Sequence, residues 1–123
     1  MTTRQIVAAL AALTILSTGS QAFAHPMFVS ANPARSSVLR VTPTEIRVTF
    51  SEAVLPKDSS FQLIDAAGKA VRTGTLAGAG KNKETVVLPI AQRLQPGTYT
   101  VQWRAAAAGH SAVPGRYKFT VGP

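Results

Sequence analysis

The sequence predicts an all-β domain made of two stacked sheets. Three observations predict it. Apolar residues recur at every second position in five separate segments, turn-forming pairs separate those segments, and no stretch beyond residue 24 carries a sustained helical stripe. Each half-buried strand has one apolar face that needs a partner, and a second sheet supplies it.

The chain opens on a segment that reads as a secretory signal peptide and not as part of the fold. Arg4 gives a positive start, Ile6 to Leu16 is apolar apart from Thr14, and Ala22-Phe23-Ala24 fits a small-x-small cleavage site. Such an apolar run is too short to span a bilayer, which needs about 20 helical residues. The expected organisation is therefore a signal peptide over 1–24 and one domain over 25–123, with no membrane insertion after cleavage. That length supports a single core.

The strands follow in order. Ile46, Val48 and Phe50 face one side, with Arg47, Thr49 and Ser51 opposite; Phe61 and Leu63 flank Gln62; Val86, Leu88 and Ile90 share a face. Tyr99, Val101 and Trp103 alternate with Thr100, Gln102 and Arg104, and Tyr117, Phe119 and Val121 alternate with Lys118 and Thr120. Asn32-Pro33, Thr42-Pro43, Ala67-Gly68, Gly78 to Gly80 and Pro96-Gly97 read as turns. Ala105 to Ala108 has helical propensity, but it is short and Gly109 ends it. The segment Leu94 to Tyr99 resembles the tyrosine corner of immunoglobulin-like sandwiches, where a tyrosine hydroxyl bonds back to upstream backbone. Tyr99 is thus expected to be structural.

Composition narrows the function. The chain has no cysteine, which excludes disulfides and thiolate metal sites. Removal of Arg4 with the signal takes the formal charge from +8 to +7. The basic residues are spaced singly along the sequence, without a clustered stripe, and export removes the protein from nucleic acid. A basic, exported, non-nucleic-acid-binding surface is the expectation. Nucleophile elbows, phosphate-binding glycine loops and paired zinc-ligand histidines are all missing from the sequence, so no enzyme class is indicated.

Two histidines remain, His25 and His110. Cleavage after Ala24 would make His25 the first residue, so its α-amine and imidazole could chelate one ion. Such nitrogen donors suit Cu(II), which takes tetragonal nitrogen and oxygen sites. Pro26 has no backbone N–H, so copper cannot displace a proton there and bind the next amide. The remaining donors must come from elsewhere in the fold. His110, in the loop between the Trp103 and Tyr117 strands, is the other imidazole, and Glu52, just after Phe50, is a candidate carboxylate. Met27 could offer a soft thioether, although packing near the first strand is its ordinary use.

These residues resemble the CopC family of periplasmic copper-resistance proteins across the whole of 25–123. The opening His25-Pro26-Met27-Phe28-Val29-Ser30-Ala31-Asn32-Pro33, the segment Pro43 to Glu52 ending in Phe50-Ser51-Glu52, and Pro96 to Arg104 carry the likeness. The resemblance implies a Greek-key β-sandwich or barrel, immunoglobulin-like and of about seven strands. It implies copper carriage in the periplasm, Cu(II) held by amine and imidazole of His25, and Glu52 at or beside that site. It also suggests a copper-transporting inner-membrane protein as partner.

The third signature departs from the family. An Asp-x-His-Pro step, with Gly four residues after the His, is expected after Trp-Arg. Aligned on Gly115, Gly109 takes the Asp position, His110 the x position and Ser111 the His position. A one-residue shift in a strand reverses the side chain, whereas a loop containing Gly109 and Pro114 can re-aim it. His110 therefore stays a candidate ligand. Met27 is the one methionine beyond residue 24, which excludes a multi-methionine Cu(I) site within this chain.

The leading expectation is a protein that sequesters or delivers Cu(II), with His25, His110 and Glu52 as metal residues. The alternatives are an interaction module that kept the sandwich but lost its metal, and a copper oxidase using an N-terminal histidine, for which the short chain leaves little room for a substrate platform.

Overall fold

A computed structural model describes residues 25–123. The signal peptide expected over 1–24 lies outside the described residues. Eight strands follow one another: β1 (Phe28–Asn32), β2 (Val38–Leu39), β3 (Glu45–Phe50), β4 (Ser60–Ile64), β5 (Ala77–Ala79), β6 (Thr85–Pro89), β7 (Gly97–Ala105) and β8 (Val113–Val121). They form two four-stranded sheets, ordered β1-β3-β6-β5 and β2-β8-β7-β4. The chain crosses between sheets at most connections and stays within one sheet only in the β5–β6 and β7–β8 hairpins. This is the Greek-key, immunoglobulin-like sandwich expected from the period-two pattern. Among the described residues no helix is long and apolar enough to cross a membrane.

Alternation decides which face goes inward. Ile46, Val48 and Phe50 of β3, Val86 and Leu88 of β6, Tyr99, Val101 and Trp103 of β7, and Tyr117, Phe119 and Val121 of β8 are all buried. Ile90 departs from the expected pattern. It is half-buried and lies just past the end of β6, in an isolated bridge with Thr73, and its N donates to the Thr44 carbonyl at 2.9 Å.

Gly78 is also not in a turn. It sits in β5, and the reversal comes later, at Gly80 to Lys83, where both residues have positive φ. Ala105, expected as the start of a weak helix, is the last residue of β7 and fully buried.

Trp103 is the hub of the core. Its ring stacks on Phe61 at 5.6 Å and on Phe28 at 5.9 Å, and meets Phe50 edge-on at 5.6 Å. Offset and edge-to-face pairs of this kind add about 0.5–1.5 kcal/mol each beyond area burial. The indole also lies over Gly115, its cross-strand partner on β8. A Cβ at Gly115 would fall 2.6 Å from Trp103 ring atoms, so only glycine fits. The tyrosine corner forms as predicted, with the Tyr99 hydroxyl donating to the Gln95 carbonyl at 2.6 Å. A second tyrosine does comparable work between the sheets: the buried Tyr117 hydroxyl donates to the Pro33 carbonyl at 2.7 Å.

Candidate metal centre

One end of the sandwich gathers the start of β1, the end of β3, the end of β7 and the start of β8. Within the sheets, β1 begins beside the end of β3 and β7 ends beside the start of β8; the Phe28–Trp103 stack and the Leu55–Ala106 hydrogen bond bring these ends together across the sandwich. The segment ahead of β1 is pinned to the residue after β3. Met27 N donates to Ser51 Oγ and Ser51 N donates to the Met27 carbonyl, both at 2.9 Å. Pro26 is buried beneath, which leaves the exposed His25 fixed at the rim.

The β7–β8 hairpin is in unbroken register from Gly97–Val121 to Ala105–Val113. Its loop is therefore residues 106–112, and Pro114, expected in the loop, belongs to β8. Within the loop His110 N donates to the Ala107 carbonyl at 3.1 Å, and Gly109 supplies the positive φ of 78° that the turn needs. The loop is secured from outside: Leu55 N donates to the Ala106 carbonyl at 2.8 Å, and Ala106 N donates to Ser59 Oγ at 2.8 Å.

The outcome is that His25 and His110 meet. Their ring centres are 5.6 Å apart with planes at 71°. An imidazole-bound ion lies about 2 Å from its nitrogen and so about 3 Å from the ring centre, which lets two rings on one ion have centres up to about 6 Å apart. The observed spacing fits within that limit. His110 thus lies in a loop and not in a strand, and from there its ring meets that of His25.

Glu52 does not join the pair. Among the described residues no three His, Cys, Asp or Glu side chains converge as a metal-holding group. Glu52 is half-buried at the same end of the fold, and its Oε2 is buried without a hydrogen-bond partner. An orphaned buried carboxylate oxygen is unusual, since such groups are nearly always satisfied.

Asp58 is a residue that sequence reasoning missed. It ends the 3₁₀ turn Pro56–Asp58 and lines a cleft of about 500 Å³ together with Leu55, Ala106, Gly109 and His110. No motif in the sequence marks it, because only folding brings the Leu55 to Ser59 segment against Ala106.

Comparisons with known proteins agree with this architecture. Residues 28–122 match the model of the CopC domain. The chain is 28% identical over 120 residues to Protein YobA of Escherichia coli K12, covering 98% of this chain and 97% of that one. It is 31% identical over 103 residues to Copper resistance protein C of Pseudomonas syringae pv. tomato, covering 80% and 81%. Among solved structures, CopC from Methylosinus trichosporium OB3b superposes with a TM-score of 0.73 at 29% identity, over 80% of this chain and 95% of that one. PcoC, a methionine-rich copper resistance protein from Escherichia coli, gives the same TM-score and identity over 80% and 99%. Fold, family model and relatives coincide: this chain belongs to the CopC family.

Proposed function

We propose that this chain is a periplasmic, non-catalytic copper protein that sequesters Cu(II) or hands it on, with the ion held at the His25–His110 end of the sandwich. One observation carries the reading: two elements far apart in sequence bring the chain's two histidines to 5.6 Å. Export and cleavage after Ala24 would add the α-amine of His25. The donor set is then one amine and two imidazole nitrogens, a combination that favours Cu(II) over harder cations. An oxygen from Glu52 or water would complete it, and the orphaned Glu52 Oε2 supports a role for that carboxylate. Delivery to a copper-transporting inner-membrane protein fits the family but rests on the family alone.

The test is a Cu(II) titration of three forms: protein starting at His25, the same protein acetylated at its α-amine, and His110→Ala. Acetylation keeps the imidazole but converts the amine to an amide. It should weaken binding by about a hundredfold, or roughly 3 kcal/mol. Equal affinity for all three forms would remove the site. The competing reading, a sandwich that has lost its metal, is favoured by the absence of a three-residue donor group among the described residues. Electron paramagnetic resonance separates the two, because one built site gives one signal and adventitious surface copper gives several.

A further inference from the structure

The outer face of the second sheet carries a feature that the linear sequence hides. Basic residues that are singly spaced along the chain converge there. On β7 the outward positions are Thr98, Thr100, Gln102 and Arg104, and on β8 they are Pro114, Arg116, Lys118 and Thr120. Gln102 faces Arg116 across the ladder, Thr100 faces Lys118, and Arg104 sits diagonally from Arg116. Gln62 of β4 extends the row, accepting a bond from Gln102 Nε2 at 3.1 Å.

Two adjoining depressions of about 710 and 340 Å³ share Gln102 and Arg116 as lining residues. No acid occupies an outward position on β4, β7 or β8. Asp65 stands at the rim of the smaller depression, but its Oδ1 already accepts the Ala67 and Lys69 amides. The ion pair seen among the described residues, Arg47 with Glu45, is on the other sheet.

We infer that this face docks an acidic polypeptide surface. Three cations on one sheet face outnumber the single carboxylate at its rim, Asp65, and repel one another, and a complementary negative patch relieves this while steering encounter. The interleaved Gln and Thr side chains can both donate and accept hydrogen bonds, as a protein surface of carboxylates and amides requires. The face has no outward aromatic on which a base could stack. Its apolar content is half-buried Ile64 and exposed Pro114, with exposed Val38 at the β2 edge, too little to insert into a bilayer.

Nine residues of β7 at about 3.3 Å each, across three strands about 4.8 Å apart, give a face on the order of 400 Å². That is the size of a transient contact, not of a permanent subunit interface. The face also runs up to the histidine loop, since Arg104 Nη2 donates to the Ala112 carbonyl at 3.3 Å. A partner seated on it would sit beside His110. The docking surface itself does not depend on the copper reading.

The test uses copper-free exported protein, so that its outcome is independent of the metal site. Binding of a fluorescent poly-glutamate peptide is measured against salt for wild type, for Arg104→Gln/Arg116→Gln/Lys118→Gln, and for Lys81→Gln/Lys83→Gln/Arg93→Gln, which removes the same charge elsewhere. The face variant should lose at least about tenfold in affinity and the control less than about twofold. Trp103 fluorescence checks that both variants are folded. Equal losses would reduce the effect to net charge and overturn the inference, as would failure of wild type to bind. Tighter binding to phosphatidylglycerol vesicles or to a single-stranded oligonucleotide than to the peptide would overturn it too.

Discussion

At the scale of single residues, Glu52 poses the sharpest question. A buried carboxylate oxygen without a partner costs about 1–3 kcal/mol, more if it is charged, and that cost persists unless something offsets it. If a copper ion is that something, Glu52→Gln should separate folding from binding. The amide is the same size and carries no charge, so the metal-free protein should melt at the same temperature or higher. Cu(II) affinity should fall by about tenfold, the loss of roughly 1.4 kcal/mol. Calorimetric melting of the metal-free form and copper titration read the two effects separately. An unchanged affinity would assign the orphaned oxygen to folding alone.

Asp58 can be treated in the same way, because it lines the cleft that holds His110. Should copper bind at His110, the Asp58 carboxylate lining the same cleft adds negative charge near the cation, so Asp58→Asn should weaken copper binding without altering the stoichiometry, as measured by titration with a competing chelator.

At the scale of elements, the β7–β8 hairpin explains both what the sequence disclosed and what it concealed. Its two strands were plain in the alternation of Tyr99, Val101 and Trp103 against Tyr117, Phe119 and Val121, since each has one face in the core and one in water. β2 and β5 were not readable. They are two and three residues long, and Ala77-Gly78-Ala79 has neither β-branched nor aromatic side chains to declare a strand. The site was legible to the same degree. His25 was singled out by the expected cleavage after Ala24, and the mismatch at His110 was visible. Its direction was not, because a turn closed by Gly109 sets it and that turn is held by residues some fifty positions earlier. Likewise the basic face arises only from cross-strand pairing.

The hairpin also fixes Gly115. Gly115→Ala would push a methyl to 2.6 Å from the Trp103 ring, forcing the hub of the aromatic cluster to move. Overpacking of this kind costs about 1–3 kcal/mol. Urea unfolding should show that loss, with a shift in the Trp103 emission maximum of the folded protein. A neutral result would mean the ring has room that the packing does not reveal.

At the scale of the whole molecule, two sheets are held face to face without a disulfide, so what bridges them matters. Tyr117 is such a bridge. It rises from β8 in one sheet and bonds through its hydroxyl to the Pro33 carbonyl just after β1 of the other. Burial pushes its phenol well above the ordinary tyrosine value, because the ionised form would lose its hydration. The folded state therefore keeps Tyr117 protonated where the unfolded chain, with a value near about 10, releases the proton. Stability from this residue is complete below about pH 10 and declines as pH rises above it, because only the unfolded state gains by ionising. Unfolding in urea between pH 8 and 11.5 should thus show a flat limb followed by a falling one. Tyr117→Phe should start lower, having lost the bond to Pro33, by about 0.5–1.5 kcal/mol. Its alkaline limb should be shallower, since one suppressed ionisation is gone. Parallel limbs in the two proteins would show that other groups govern alkaline unfolding and that the inter-sheet phenol is only a packing residue.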